Sequence, residues 1–159
     1  MSEETVRAEG DHESLRQMLN VGPDVTAATR AVMVANRGKD TGPEMVVRRT
    51  LHSAGLRYRL HVKQLPGRPD IVLPSRKTVV EVRGCFWHGH TCQHGRIPRT
   101  RSEFWATKIR LNRERDARNE AALRERGWDV MVVWECEVNR GAAIPLAERL
   151  AAIPKRYGN

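Results

Sequence analysis

No run of about 18 apolar residues occurs anywhere in the 159-residue chain, so no continuous hydrophobic stretch is available to cross a membrane as a helix. The first 26 residues are polar and mixed in charge, which predicts neither a span nor a secretory signal there and leads us to expect a cytoplasmic protein. A lipidation site is lacking, as is an amphipathic helix with an apolar Trp, Phe or Leu face, the usual means by which a basic protein holds an anionic membrane. Cysteine is scarce. Three of them, an odd number, argue against a disulfide framework and leave metal ligation or buried thiols. Internal repeats and low-complexity tracts are absent as well.

What the chain has in excess is positive charge. Twenty-eight Lys and Arg against nineteen Asp and Glu give a net +9, which points to a polyanionic partner, with nucleic acid first. The length allows one domain with a real core. Residues 1–26 lack a sustained apolar period and read as a mobile N-terminal arm; residues 27–159 read as the folded domain. A helix is predicted from about Pro43 to Ser53, capped by Thr41, with Glu44 in its first turn and Gly55 beyond its end. Leu56 to Val62, Asp70 to Leu73 and Thr78 to Arg83 read as strands, the last two joined as a hairpin through Pro74, Ser75 and Arg76. Ser102 to Arg126 is predicted as a long charged helix stopped by Gly127. A buried strand from Trp128 to Trp134 and a helix from about Pro145 to Ala152 follow. The order implies an α/β fold, a mixed central sheet flanked by helices.

Two groups of residues carry chemistry. Asp70 opens one hairpin strand, and the strand period puts Glu81 and Arg83 on one face of the other. Asp70 and Glu81 could hold a magnesium ion for phosphodiester hydrolysis, since magnesium takes one or two carboxylates plus waters and phosphate oxygens. The competing reading makes Asp70 a turn residue and Glu81 with Arg83 a solvated edge, and spacing leaves both open. The second group is the run from Gly84 to Cys92, containing Cys85, His88, His90 and Cys92, with Cys136 44 positions further on. Three thiolates and one imidazole make the closed tetrahedral set of a structural zinc. His90 is the preferred fourth ligand, with His88 and His94 as alternatives. Three buried free thiols are the competing reading.

The runs Leu65-Pro66-Gly67-Arg68-Pro69-Asp70, Gly84 to Cys92, Thr100-Arg101-Ser102-Glu103-Phe104-Trp105 with Lys108 and Asn112, and Gly127-Trp128 through Val133-Trp134-Glu135-Cys136 together resemble the very-short-patch-repair (Vsr) endonucleases. The likeness runs in order from about Ala28 to Cys136. It implies a fold related to the restriction endonucleases of the PD-(D/E)xK type, with a structural zinc, and a magnesium-dependent nick 5′ to the thymine of a T:G mismatch left by deaminated 5-methylcytosine. It also implies double-stranded, mismatched DNA as partner, bound by a monomer, alongside other mismatch-repair proteins. By the same resemblance Asp70 is the essential magnesium ligand, His88 a catalytic histidine and Glu44 an acid supporting the site. Cys85, His90, Cys92 and Cys136 are then the zinc ligands, and Phe86, Trp87 and Trp105 the side chains that wedge into the base stack. Core packing is the expectation for Trp128 and Trp134.

The chain departs from the family at one place. Members commonly carry Thr-His before Gly-Cys-Phe-Trp, whereas this chain has Val82-Arg83. Arg83 stays charged and cannot transfer a proton, so phosphate stabilisation is its expected role, shared with Lys108. The expected site holds magnesium through Asp70, Glu81 and the Val82 carbonyl, with His88 as general base or acid. Two rival functions stand beside it: a related nuclease acting on another mismatch, a damaged base or a restriction-type site, and a zinc-stabilised DNA-binding module without catalysis.

Overall fold

Thr41 starts the first helix among the described residues by the means the sequence predicts. Its Oγ1 accepts the Glu44 N–H at 3.4 Å while its own N–H donates to the Glu44 carboxylate at 3.3 Å, a reciprocal cap that satisfies two backbone or cap donors at once. The structure, a computed structural model, describes residues 39–156; the expected arm over residues 1–26 lies outside them. Helix α1 (Gly42–Ser53) is followed by strands β1 (Arg59–Leu60), β2 (Ile71–Leu73) and β3 (Thr78–Arg83). Helix α2 (Ser102–Glu125), strand β4 (Asp129–Trp134), a four-residue helix α3 (Glu135–Val138) and helix α4 (Ala143–Ala152) follow.

The strands lie in the order β1-β2-β3-β4, with β3 and β4 parallel and the other pairs antiparallel. A parallel pair needs a long crossover, which α2 supplies. Three elements differ from the sequence reading. Strand β4, expected to be buried, has Val133 alone buried, because it lies at the end of the strand order with one neighbour. The strand expected over residues 56–62 shrinks to Arg59–Leu60, because β2 is only three residues long and offers Val72 and Ile71 as partners. Leu56 goes instead into the core. Helix α3 is new, and at four residues it is too short to leave an apolar period.

The sheet has two unlike faces, set by the period of two along β3. On one, Ile71, Leu73, Val80 and Val133 pack with Val47 and Leu51 of α1 and with Leu146 and Leu150 of α4. On the other, Val72 and Val79 meet Leu123 of α2, with Trp128 and Val130 beside them. Glu81 and Arg83 continue that second face past the apolar part. The register pairs Ile71 with Val80, so Asp70 falls beside Glu81 one step further. The candidate site residues therefore sit where the α2-covered face of the sheet runs out of hydrophobic residues.

Candidate active site

Asp70, Glu81 and Arg83 do meet on that face. They line a cleft of about 1240 Å3, together with His61, His88 and Asp116. Lys39, Lys63, Arg68 and Arg115 also belong to its wall, so a basic rim surrounds an acidic floor. Such a rim suits a phosphate backbone, and the floor suits a cation. Asp70 Oδ2 accepts the Val82 N–H at 2.8 Å. Burial pushes the Asp70 carboxyl up to about 6 despite that hydrogen bond; the Glu44 and Glu81 charges push the same way and His61 opposes them. Glu44 itself is 2% exposed and ion-paired to Arg48 on the next turn of α1.

Arg83 is held rather than free. Its guanidinium reaches Glu81 Oε2 at 2.5 Å and Glu120 Oε1, from α2, at 2.6 Å. Burial disfavours its charge, but these carboxylates more than offset that and raise its pKa. Phosphate contact by Arg83, as expected from the sequence, would have to share the guanidinium with two carboxylates. His88 has a partner that sequence reasoning missed: its Nδ1 lies 2.5 Å from Asp116 Oδ2. Burial works against the Asp116 charge, yet the hydrogen bond and charge of His88, with Arg83 and Arg115 nearby, keep its pKa below the ordinary value. The carboxylate thus holds the ring through Nδ1.

Helix α2 supplies these partners as one stripe. Asn112, Asp116 and Glu120 recur every four residues and so share a face, continued by Leu123 in the core. Asn112 donates to the Trp87 carbonyl at 2.8 Å, Asp116 takes His88 and Glu120 takes Arg83. Lys108 lies outside the residues that line the cleft. The expected wedge residues form a half-buried cluster: Phe86 lies 5.2 Å from Trp87 and 5.0 Å from Trp105, edge to face. Trp87 also lines the cleft, so the cluster adjoins the candidate active site.

Cys85, His90, Cys92 and Cys136 bring their ligand atoms within 4.8 Å of one another. Sulfur and nitrogen at about 2.0–2.3 Å from one tetrahedral ion need such spacing, so the four fit a single metal. Burial pushes the Cys85 thiol up to about 12, whereas the His90 hydrogen bond draws Cys92 down to about 6. His88 and His94 are not in the set. Gly89, at φ 63°, makes the turn between His88 and His90, and a Cβ there would meet Ile109 Cγ2 at 2.6 Å. The loop is thereby pressed on α2 with one histidine facing the cleft and the next the metal cluster. Trp134 stacks on the His90 ring at 4.3 Å, and Glu135 accepts the Cys85 N–H at 3.3 Å. Both half-buried tryptophans expected in the core have such specific contacts, since Lys77 sits 4.4 Å over the Trp128 ring.

A basic cleft with carboxylates on its floor, an imidazole oriented by a second carboxylate and aromatic side chains at its edge is what an endonuclease working on DNA needs. A family profile described as DNA mismatch endonuclease Vsr matches residues 24–94. The type II nicking enzyme V.XorIIP of Xanthomonas oryzae pv. oryzae is 56% identical over 110 residues, covering 69% of this chain and 81% of that one. The type II nicking enzyme V.NmeAIP of Neisseria meningitidis is 47% identical over 117 residues, 74% of this chain and 84% of its own. The DNA mismatch endonuclease Vsr of Escherichia coli is 41% identical over 119 residues, 75% of each chain. This chain belongs to the Vsr family of DNA mismatch endonucleases. Among the described residues no helix is long and apolar enough to cross a membrane.

Proposed function

We propose that the protein is a magnesium-dependent endonuclease that nicks one strand of double-stranded DNA beside a T:G mispair, as a monomer in the cytoplasm and in concert with other mismatch-repair proteins. Its sheet is then of the restriction-endonuclease kind, and the cluster of Cys85, His90, Cys92 and Cys136 holds a structural zinc. The observation that carries the reading is the half-buried Asp70 carboxyl, which shares a basic-rimmed cleft with Glu81 and feels the charges of Glu44 and Glu81. Crowded carboxylates of this sort suit a divalent cation that would relieve their repulsion.

Asp70 Oδ1 and Glu81 Oε1 are the oxygens left for the cation, because Oδ2 of Asp70 takes Val82 and Oε2 of Glu81 takes Arg83. Magnesium bound there supplies phosphate polarisation and a more acidic water. His88, fixed by Asp116, moves the proton. Phe86, Trp87 and Trp105 offer flat apolar faces to a base step already weakened by mispairing, where wedging costs little. Matched, mismatched and damaged duplexes, each incubated with magnesium and with chelator, test the reading. A nick confined to T:G duplexes with magnesium supports it; a preference for another lesion moves the substrate, and salt-sensitive binding without any nick assigns a binding module.

Two substitutions probe the roles inside the cleft. His88→Ala is expected to slow nicking by about 10²–10⁴-fold, the usual worth of a proton-transferring group, with Asp116→Asn close behind because the ring loses its orientation. A loss below tenfold in His88→Ala single-turnover kinetics returns His88 to a structural role. Glu81→Gln keeps size but removes the charge. It is expected to raise the magnesium needed for half-maximal nicking by about 10-fold. An unchanged magnesium titration means that Glu81 serves only to hold Arg83.

A further inference from the structure

A second imidazole stands in the cleft, and nothing above uses it. Strand β1 ends at Leu60 and the chain turns at His61 with φ 45°, a left-handed conformation uncommon for a side-chain-bearing residue and concentrated at functional sites. The turn drops the ring between α1 and Asp70. Its Nε2 lies 2.9 Å from Arg48 Nη2 and 3.3 Å from Glu44 Oε1. Arg48 is buried and can only donate. The Arg48 donor is nearer to Nε2 than the Glu44 carboxylate, so Nε2 is assigned as its acceptor and the ring hydrogen is placed on Nδ1. Nδ1 faces Asp70 Oδ1 at 3.9 Å. That distance is too long for a hydrogen bond, so the Nδ1–H is left to point into the cleft beside the oxygen expected to hold the cation.

Resting on the reading of Asp70 as the centre of phosphodiester hydrolysis, we propose that His61 is a further catalytic residue: its Nδ1–H donates to a non-bridging oxygen of the phosphate being cleaved. Arg48 fixes the donor's direction through Nε2, and its own place is set by Asp40, which it meets at 2.6 Å, and by Glu44. Asp40, Glu44 and His61 also group as metal ligands would, but the Arg48 guanidinium already supplies the positive charge among them. The donor faces the place where negative charge develops on the phosphate, which is where a preorganised hydrogen bond accelerates a reaction. Arg83, tied to Glu81 and Glu120, is less available for that task.

Two variants separate this role from a role in folding. His61→Gly accepts the left-handed backbone and deletes the ring, whereas His61→Asn also tolerates that backbone and keeps an N–H near the position of Nδ1. Single-turnover nicking of a T:G duplex at saturating protein, the dissociation constant of the same duplex in chelator, and the thermal melt are measured for both, with Asp70→Asn alongside. His61→Gly is expected to be about 100-fold slower with its dissociation constant within about threefold of wild type, and His61→Asn to recover to within about tenfold of wild type. The proposal is overturned if His61→Gly nicks within about threefold of wild type, if His61→Asn is as slow as His61→Gly, or if the loss is matched by a melt lowered by more than about 10 °C. An inactive Asp70→Asn beside a fast His61→Gly overturns the role of His61 alone; an active Asp70→Asn removes the reading on which it rests.

Discussion

Asp70→Asn is expected to abolish nicking, by at least about 10³-fold, and at the same time to make the metal-free protein more stable at neutral pH. The two effects share a cause. An aspartate has an ordinary pKa of 3.8, and in the folded protein burial carries Asp70 up to about 6, with Val82 opposing and Glu44 adding to it. Between those values the folded state binds more protons than the unfolded one, so this group's contribution to stability falls as pH rises through the window. At 1.36 kcal/mol per pH unit, and allowing for a side chain still about a quarter exposed, the strain at pH 7 is about 2 kcal/mol. Asparagine keeps the shape and carries no charge. Urea denaturation in chelator should therefore show the variant ahead of wild type at pH 7 and the two converging toward pH 4. A variant less stable at pH 7 would contradict the strain, and a variant that nicks normally would place Asp70 outside the reaction.

Removing the metal cluster is expected to cost more stability than any other change. Structural zinc contributes on the order of 10 kcal/mol or more, which is comparable with the whole net stability of a domain. Cys92→Ser and Cys136→Ser should each lower Tm by about 10–20 °C, corresponding to about 5 kcal/mol at 2–4 °C per kcal/mol, and chelator should do the same to wild type. Trp134 and Glu135 add to the effect, since one stacks on His90 and the other holds the Cys85 N–H. Elemental analysis should find one zinc per chain. Its absence, or a melt unchanged in both serine variants, would leave three ordinary thiols.

Helix α1 was legible because everything that makes it lies within twelve residues: Thr41, Pro43, Glu44 and an apolar period ending before Gly55. Strand β3 and the stop at Gly127 were legible for the same local reason, a β-rich run in one case and a left-handed glycine at φ 74° in the other. Asp116 and Glu120 were not. In α2 charged residues surround the stripe on every side, and its meaning depends on His88 and Arg83, 28 and 37 positions away. His61 was hidden differently. It sat inside a stretch that alternated like a strand, and only the early end of β1 turns it into the cleft. The cysteines and His90 could be grouped from spacing because metal ligands cluster in sequence, but the stacking of Trp134 follows from how β4 ends.

The parallel pair β3 and β4 carries a consequence for the accuracy of assembly. Arg83 pairs with Trp134, and two residues beyond each of them comes a cysteine of the cluster, Cys85 on one side and Cys136 on the other. A metal held there would act as an end stop for two strands separated by 45 intervening residues between Arg83 and Asp129. A shift by one residue reverses which side chains face which layer, and the apolar faces of this sheet already oppose it. Here such a shift would set Val82 where Arg83 meets Glu120 and would pull Cys85 away from its partners. Closing a tetrahedron there would add to the selection of the sheet's parity, and with it of the side on which Asp70, Glu81 and Arg83 emerge.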